Sequence, residues 1–223
     1  MKRIILLSLL YFSPNVFGQL FESIEKEAAN VFLMNENNSN SIIGLEKLRT
    51  TLSADIEKSD LEKTYNAKPS VIDTLRRHFD LFENESKNIS SDSALFLFNL
   101  WYLHLSNIFY DYKKEKFLSS NKTKFLLFST SMSCHCTLEM CKNQTIDILN
   151  FIKENNNEYD YWIIDSYEHN DLQLKYETFF APSVIVFDDL NKVLLKIEYE
   201  QNMKEQLVSF LNHKPNTEEV NNE

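Results

Sequence analysis

Cys134, Cys136 and Cys141 are the chain's three cysteines, and they fall within eight residues of one another, with His135 between the first two. They directly follow an apolar, strand-like run, Lys124-Phe125-Leu126-Leu127-Phe128. Thiols gathered where a strand turns into a helix point to redox or metal chemistry, because a helix N-terminus favours the thiolate and the thiolate is the reactive species. Cys134 stands at or just before the helix start and is the candidate nucleophile. His135, when protonated, would lower a neighbouring thiol's pKa. Cys136 is the candidate resolving thiol, since a Cys-X-Cys disulfide closes a small ring that exchanges readily. Cys141 lies five residues further on. On a helix its Cα would be ~8 Å from that of Cys136, beyond the reach of a relaxed disulfide, so it reads as a buried packing residue.

The elements that would hold this cluster are legible from residue 122 onward. Lys124–Ser129 reads as a strand and Thr137 to about Asn155 as a helix, with Leu138, Cys141, Ile146, Leu149 and Ile152 toward one side. Tyr159–Asp165 is a second strand and Asp171–Phe180 a short helix. Ser183–Asp188 and Val193–Tyr199 form a hairpin around Asp189-Leu190-Asn191-Lys192, and Met203–Leu211 is a closing helix. The order β-α-β-α-β-β-α predicts a parallel first pair, an antiparallel hairpin, and a mixed sheet flanked by helices. Phe179-Phe180 reads as core. Asp160, Asp165, Asp188 and Asp189, at strand ends and turns, read as solvated.

Residues 19–118 carry no strand pattern. Phe21, Ile24, Ala28, Val31 and Phe32 recur at helical spacing, as do Leu45, Leu48, Leu52 and Ile56. After Pro69, Ser70 and Asp73 suggest a helix start, followed by Val71, Leu75, Phe79 and Leu81-Phe82. Ala94–Tyr112 is strongly apolar, but Asn99, His104, Ser106 and Asn107 interrupt it, so it reads as one buried helix and not as a membrane span. His104 reads as a satisfied or partly exposed helix residue and not as a ligand.

The N-terminus reads as an export signal. Lys2 and Arg3 precede an apolar stretch, Ile4–Phe12, and Val16-Phe17-Gly18 resembles a cleavage site that makes Gln19 the first mature residue. An uncleaved anchor is the alternative. Export implies an oxidising compartment where disulfides persist, a periplasm by preference or the extracellular space. An odd cysteine count then leaves one thiol unpaired in a monomer. The net charge of −10 argues against nucleic acid or an anionic membrane surface as partner. Asn is abundant, and Gly44 is the one glycine outside the leader. Asn37, Asn84, Asn88, Asn121 and Asn143 each head an Asn-X-Ser/Thr triplet, of consequence only in a eukaryotic source. There is no glycine-rich phosphate loop, His-X-X-X-His pair or basic aromatic patch.

Two features give residues 122–212 a resemblance to the thioredoxin-like superfamily: the cysteine cluster opening the first helix, and Ala181-Pro182-Ser183 immediately before the third strand. The resemblance implies a cis bond before Pro182, a place against the cysteines for that proline, and a groove there for a substrate backbone. The family's Cys-X-X-Cys is absent. Either Cys134 takes the first position with Thr137 as the second, or Cys136 takes the second with Ser133 as the first. Ser133 replaces the tryptophan that often precedes the motif, and Phe128 stands where thioredoxins keep a buried carboxylate.

The organisation expected is a signal peptide over 1–18, a helical region over 19–118, a thioredoxin-like α/β domain over 119–212 and a disordered tail over 213–223. The expected function is thiol–disulfide exchange on protein clients through Cys134 and Cys136, with Pro182 shaping the substrate groove and no cofactor. Two alternatives stand beside it. One is a soft-metal (Cu(I) or Zn) protein using Cys134, His135, Cys136, Cys141 and His169, similar in fold to Sco-type copper chaperones but without their cysteine spacing. The other is a non-catalytic interaction module. For the helical region three roles are open: covering one side of the α/β domain, forming a homo-oligomer, or binding the client.

Overall fold

The structure is a computed structural model that describes residues 19–35, 43–53, 58–200 and 202–212. The expected leader, the expected tail and Ile56 lie outside these residues. Among the described residues nine helices and four strands follow in order: α1 (Gln19–Asn35), α2 (Leu45–Leu52), α3 (Lys58–Tyr65), α4 (Pro69–Ser86), α5 (Ser91–Ile108), α6 (Tyr110–Ser119), β1 (Lys124–Ser129), α7 (His135–Glu154), β2 (Asp160–Asp165), α8 (Asn170–Lys175), β3 (Ser183–Phe187), β4 (Val193–Glu198) and α9 (Met203–Asn212). The described part of residues 19–118 is helical throughout, and the remainder is an α/β unit around a mixed sheet. Among the described residues no helix is long and apolar enough to cross a membrane.

The helices form where apolar residues recur every three or four positions, giving each one a face to bury. On α1 that face is Phe21, Ile24, Ala28, Val31 and Phe32, all buried. Pro69 opens α4 from its first position, where a missing N–H costs nothing, and the helix buries Ile72, Leu75, Phe79 and Phe82. This corrects the start expected at Ser70, which lies inside the helix. Ser90 caps α5, its hydroxyl accepting from Ser93 N at 3.2 Å. The single helix expected over 94–112 is two. The break falls at Phe109, whose fully buried ring packs 4.9 Å from Phe21 and 5.2 Å from Tyr65. The packing of that ring marks the break, with no proline or glycine involved, and α6 goes on to contact β2.

The strand order is β2-β1-β3-β4, with β1 parallel to β2 and antiparallel to β3, and β3 antiparallel to β4. β1 and β3 are buried on both faces, as their continuous apolar sequences require. Side chains alternate between two cores. Phe125, Leu127, Ile163, Val184 and Val186 join a cluster shared with α1, α4, α5, α7 and α9. Leu126, Phe128, Trp162, Ile164, Ile185 and Phe187 form a smaller cluster closed by Phe117 of α6 and Leu172 of α8. Ser106 of α5 donates its hydroxyl to the Ile163 carbonyl of β2, fastening the helical region to the sheet.

Turn geometry falls largely to asparagine. Asn66, Asn156, Asn157 and Asn191 all have positive φ, between 52° and 65°. Gly44, at φ 87°, precedes α2 close to α1, where a Cβ would stand 3.2 Å from the Met34 sulfur.

Candidate functional site

Two chain segments build the site, one leaving the C-terminal end of β1 and the other following α8 into β3. The first, 130–134, runs from β1 to α7. Asp165, the last residue of β2, is 1% exposed, and its Oδ1 accepts from the amides of Ser131 (3.0 Å) and Tyr167 (3.0 Å). This corrects the reading of Asp165 as a solvated strand end, because the carboxylate pins the cysteine loop from below. Thr130 closes the next turn, its Oγ1 accepting from Met132 N at 3.3 Å. Cys134 is then the N-cap of α7, its carbonyl accepting from the amides of Thr137 and Leu138, both at 3.1 Å. Of the two possible registers, the structure therefore has Cys134 at the helix start and Thr137 one turn along.

The sulfurs of Cys134 and Cys136 lie 2.6 Å apart. All three cysteines are free thiols, and the Cys134 and Cys136 side chains are exposed. Cys134 Sγ also lies 3.2 Å from Thr137 Oγ1. Its pKa is lowered to about 7, first by the Cys136 thiol, then by the Thr137 hydroxyl, and then by the amides of Thr137 and Cys136 in the first turn of the helix. His135 is not among these causes. Its ring packs over Phe96 of α5, 5.4 Å between centroids. Cys141 is fully buried, and burial pushes its thiol up to about 11. It is inert packing, as the spacing predicted.

The second segment, 176–182, leads from α8 into β3. The Ala181–Pro182 peptide bond is cis, and Pro182 is buried. Its carbonyl accepts from Tyr199 N at 2.8 Å. Ala181 and Thr137 line a common open cleft of about 980 Å³ together with Met132, Tyr167, Phe180 and Tyr199. Phe179 and Phe180 are 66% and 62% exposed, which corrects their reading as core. The helix expected to run through them ends at Lys175, so they fall in the loop and project from it. Met132 and Tyr167 are exposed as well. An apolar rim thus borders a cleft that Ser133 and Thr137, which flank the thiol pair in sequence, also line, the kind of surface that marks a binding site.

His169 is not brought to the cysteines in any ligand group. It stacks on Tyr110 at 3.9 Å, and burial lowers its pKa. Among the described residues no three His, Cys, Asp or Glu side chains converge to hold a metal ion. Thr137 and Tyr199 join the site without having been singled out as site residues in the sequence. The threonine's only signal is its place three residues after Cys134, and the tyrosine, 62 residues beyond Thr137, has none. Compared with known proteins, the chain matches no family model and no curated sequence.

Proposed function

We propose that this is an exported thioredoxin-like protein that exchanges thiols and disulfides on protein substrates through Cys134 and Cys136. The observation that carries the reading is the pair of exposed sulfurs 2.6 Å apart at the start of α7, one with its pKa lowered to about 7. The β-α-β-α-β-β-α order, the mixed sheet and the cis Ala181–Pro182 bond beside the same cleft support the thioredoxin-like assignment. The positive, apolar and small-residue succession over residues 2–18 supports export to an oxidising compartment, the periplasm by preference.

The chemistry balances without a cofactor. The Cys134 thiolate attacks one sulfur of a substrate disulfide. That S–S bond breaks, a mixed disulfide forms at Cys134, and the other substrate sulfur leaves as a thiolate that takes up a proton. Cys136, after losing its proton to water, attacks the Cys134 sulfur and releases the second substrate thiolate. The substrate gains two electrons, and the protein keeps a Cys134–Cys136 disulfide. The reverse sequence oxidises a substrate dithiol.

Site-resolved alkylation with mass spectrometry, before and after mild reduction, tests the pairing, and exchange with a model disulfide tests the activity. Cys134→Ser should lower exchange by about 100-fold or more, while Cys136→Ser should accumulate mixed disulfides. Exchange that survives Cys134→Ser would overturn the assignment. Three free thiols inert to the model disulfide would leave an interaction module instead.

A further inference from the structure

Tyr199 is the first residue after β4, and its backbone takes φ 51°. A left-handed conformation is unusual for a bulky side chain and needs something to hold it. Two contacts do so. Its N–H donates to the Pro182 carbonyl at 2.8 Å, and its phenol lies 3.3 Å from Thr137 Oγ1. Thr137 Oγ1 in turn lies 3.2 Å from Cys134 Sγ. Thr137 is 8% exposed, so water has little access to its hydroxyl, whereas Tyr199 is 44% exposed and half in water.

The direction of this chain follows from the charge at its end. A Cys134 thiolate has no proton to donate, so the Thr137 hydroxyl must donate to it. The Thr137 oxygen is then free to accept, and the Tyr199 phenol is the donor within reach. Each donation strengthens the next one along the chain.

We infer that Tyr199 is a positioning residue for Cys134, orienting and polarising the Thr137 hydroxyl so that it donates to the sulfur. Tyr199 also ties the Pro182 segment to the thiol, because its amide and its phenol engage the two sides of the cleft. The inference rests on Cys134 being the reactive thiol. Cys136 and His135 follow this thiol on α7, and Tyr167 after β2 and Glu198 at the end of β4 line the cleft with Thr137. Glu198 Oε2 is engaged by Phe179 N at 2.9 Å, and His135 faces Phe96. Among the described residues, the Cys136 and Thr137 side chains lie within hydrogen-bond distance of the sulfur.

The test is the pH profile of iodoacetamide alkylation at Cys134, followed site by site by mass spectrometry in the full chain. Tyr199→Phe keeps the ring and removes the hydroxyl. Thr137→Val removes the relay, and Thr137→Ser keeps it. The midpoint should rise by about 0.5 to 1 pH unit in Tyr199→Phe and further in Thr137→Val, and Thr137→Ser should restore it. An unchanged midpoint in Tyr199→Phe overturns the inference, as does a Thr137→Ser profile that matches Thr137→Val. Because alkylation does not require exchange activity, the two readings fail separately. Wild-type protein inert to a model disulfide, with the midpoint shifts intact, removes the proposed function and leaves the positioning role standing.

Discussion

Glu25 and Lys113 meet in the interior, whereas Cys134 and Cys136 meet in water at the start of α7. The first pair is largely enclosed, its side chains no more than 12% exposed. Lys113 Nζ donates to both Glu25 carboxylate oxygens at 2.6 and 2.8 Å, Tyr102 adds a hydrogen bond at 3.3 Å, and the ammonium lies 4.8 Å from the Tyr161 ring centroid. Burial holds the Tyr102 and Tyr161 phenols far above their ordinary pKa, so neither hydroxyl ionises at neutral pH. The thiol pair is held by α7 and the loop pinned on Asp165, and both cysteines are exposed. A buried polar group survives by having a fixed partner and a single protonation state. A reactive group needs two states and room for a third party. The chain locks one cluster and leaves the other able to change.

Breaking the locked cluster should produce the largest change in stability. Lys113→Met leaves the Glu25 carboxylate without its ammonium partner, and denaturant unfolding should show a loss of about 3–5 kcal/mol. Exchange per folded molecule should be unaltered. Adding Glu25→Leu should recover much of the loss, since the interior tolerates an apolar pair better than half an ion pair.

The open cluster should respond to pH across the neutral range. Native-state alkylation of Cys134 should rise through a midpoint near 7, while Cys141, at about 11, stays unmodified until the protein unfolds. The two thiols also act on stability with opposite signs. The folded value of Cys134 lies below its ordinary 9.0, so its contribution is complete above about 9 and is lost as pH falls toward 7. The folded value of Cys141 lies above 9.0, so its contribution is complete below about 9 and is lost as pH rises toward 11. Unfolding midpoints in denaturant across pH 6 to about 11.5 check both signs.

The smallest effect on the fold should come from the rim. Phe180→Ser removes an exposed ring and should move stability by no more than about 0.5 kcal/mol. Exchange with a protein substrate should slow several-fold while exchange with a small disulfide stays level, which steady-state rates on the two substrates would separate.

What the sequence disclosed follows the reach of its signals. β1, the start of α7 and Pro182 before β3 were legible because each is a local pattern: an apolar run, a thiol cluster after it, and a proline at a strand start. The break at Phe109 was not, because no glycine or proline marks it and the cause is a ring contact with Phe21 and Tyr65, distant in sequence. Phe179 and Phe180 were misread because apolar character says what a side chain would prefer, not which loop will carry it outward. Asp165 and Tyr199 reach the cysteines only through the sheet, which places the end of β2 beside that of β1, and the residue after β4 beside Pro182.

Asparagine's occupation of the left-handed turns has a consequence for the unfolded chain. Asn66, Asn156, Asn157 and Asn191 hold positions that glycine commonly fills. Glycine makes such turns easily but leaves the denatured ensemble freer to wander, and folding must then collect more disorder. An asparagine adopts the same backbone at modest strain and enters folding with fewer alternatives. With Gly44 as its one glycine among the described residues, this protein starts from a narrower ensemble, so its turns contribute to stability through the state in which they are not yet formed.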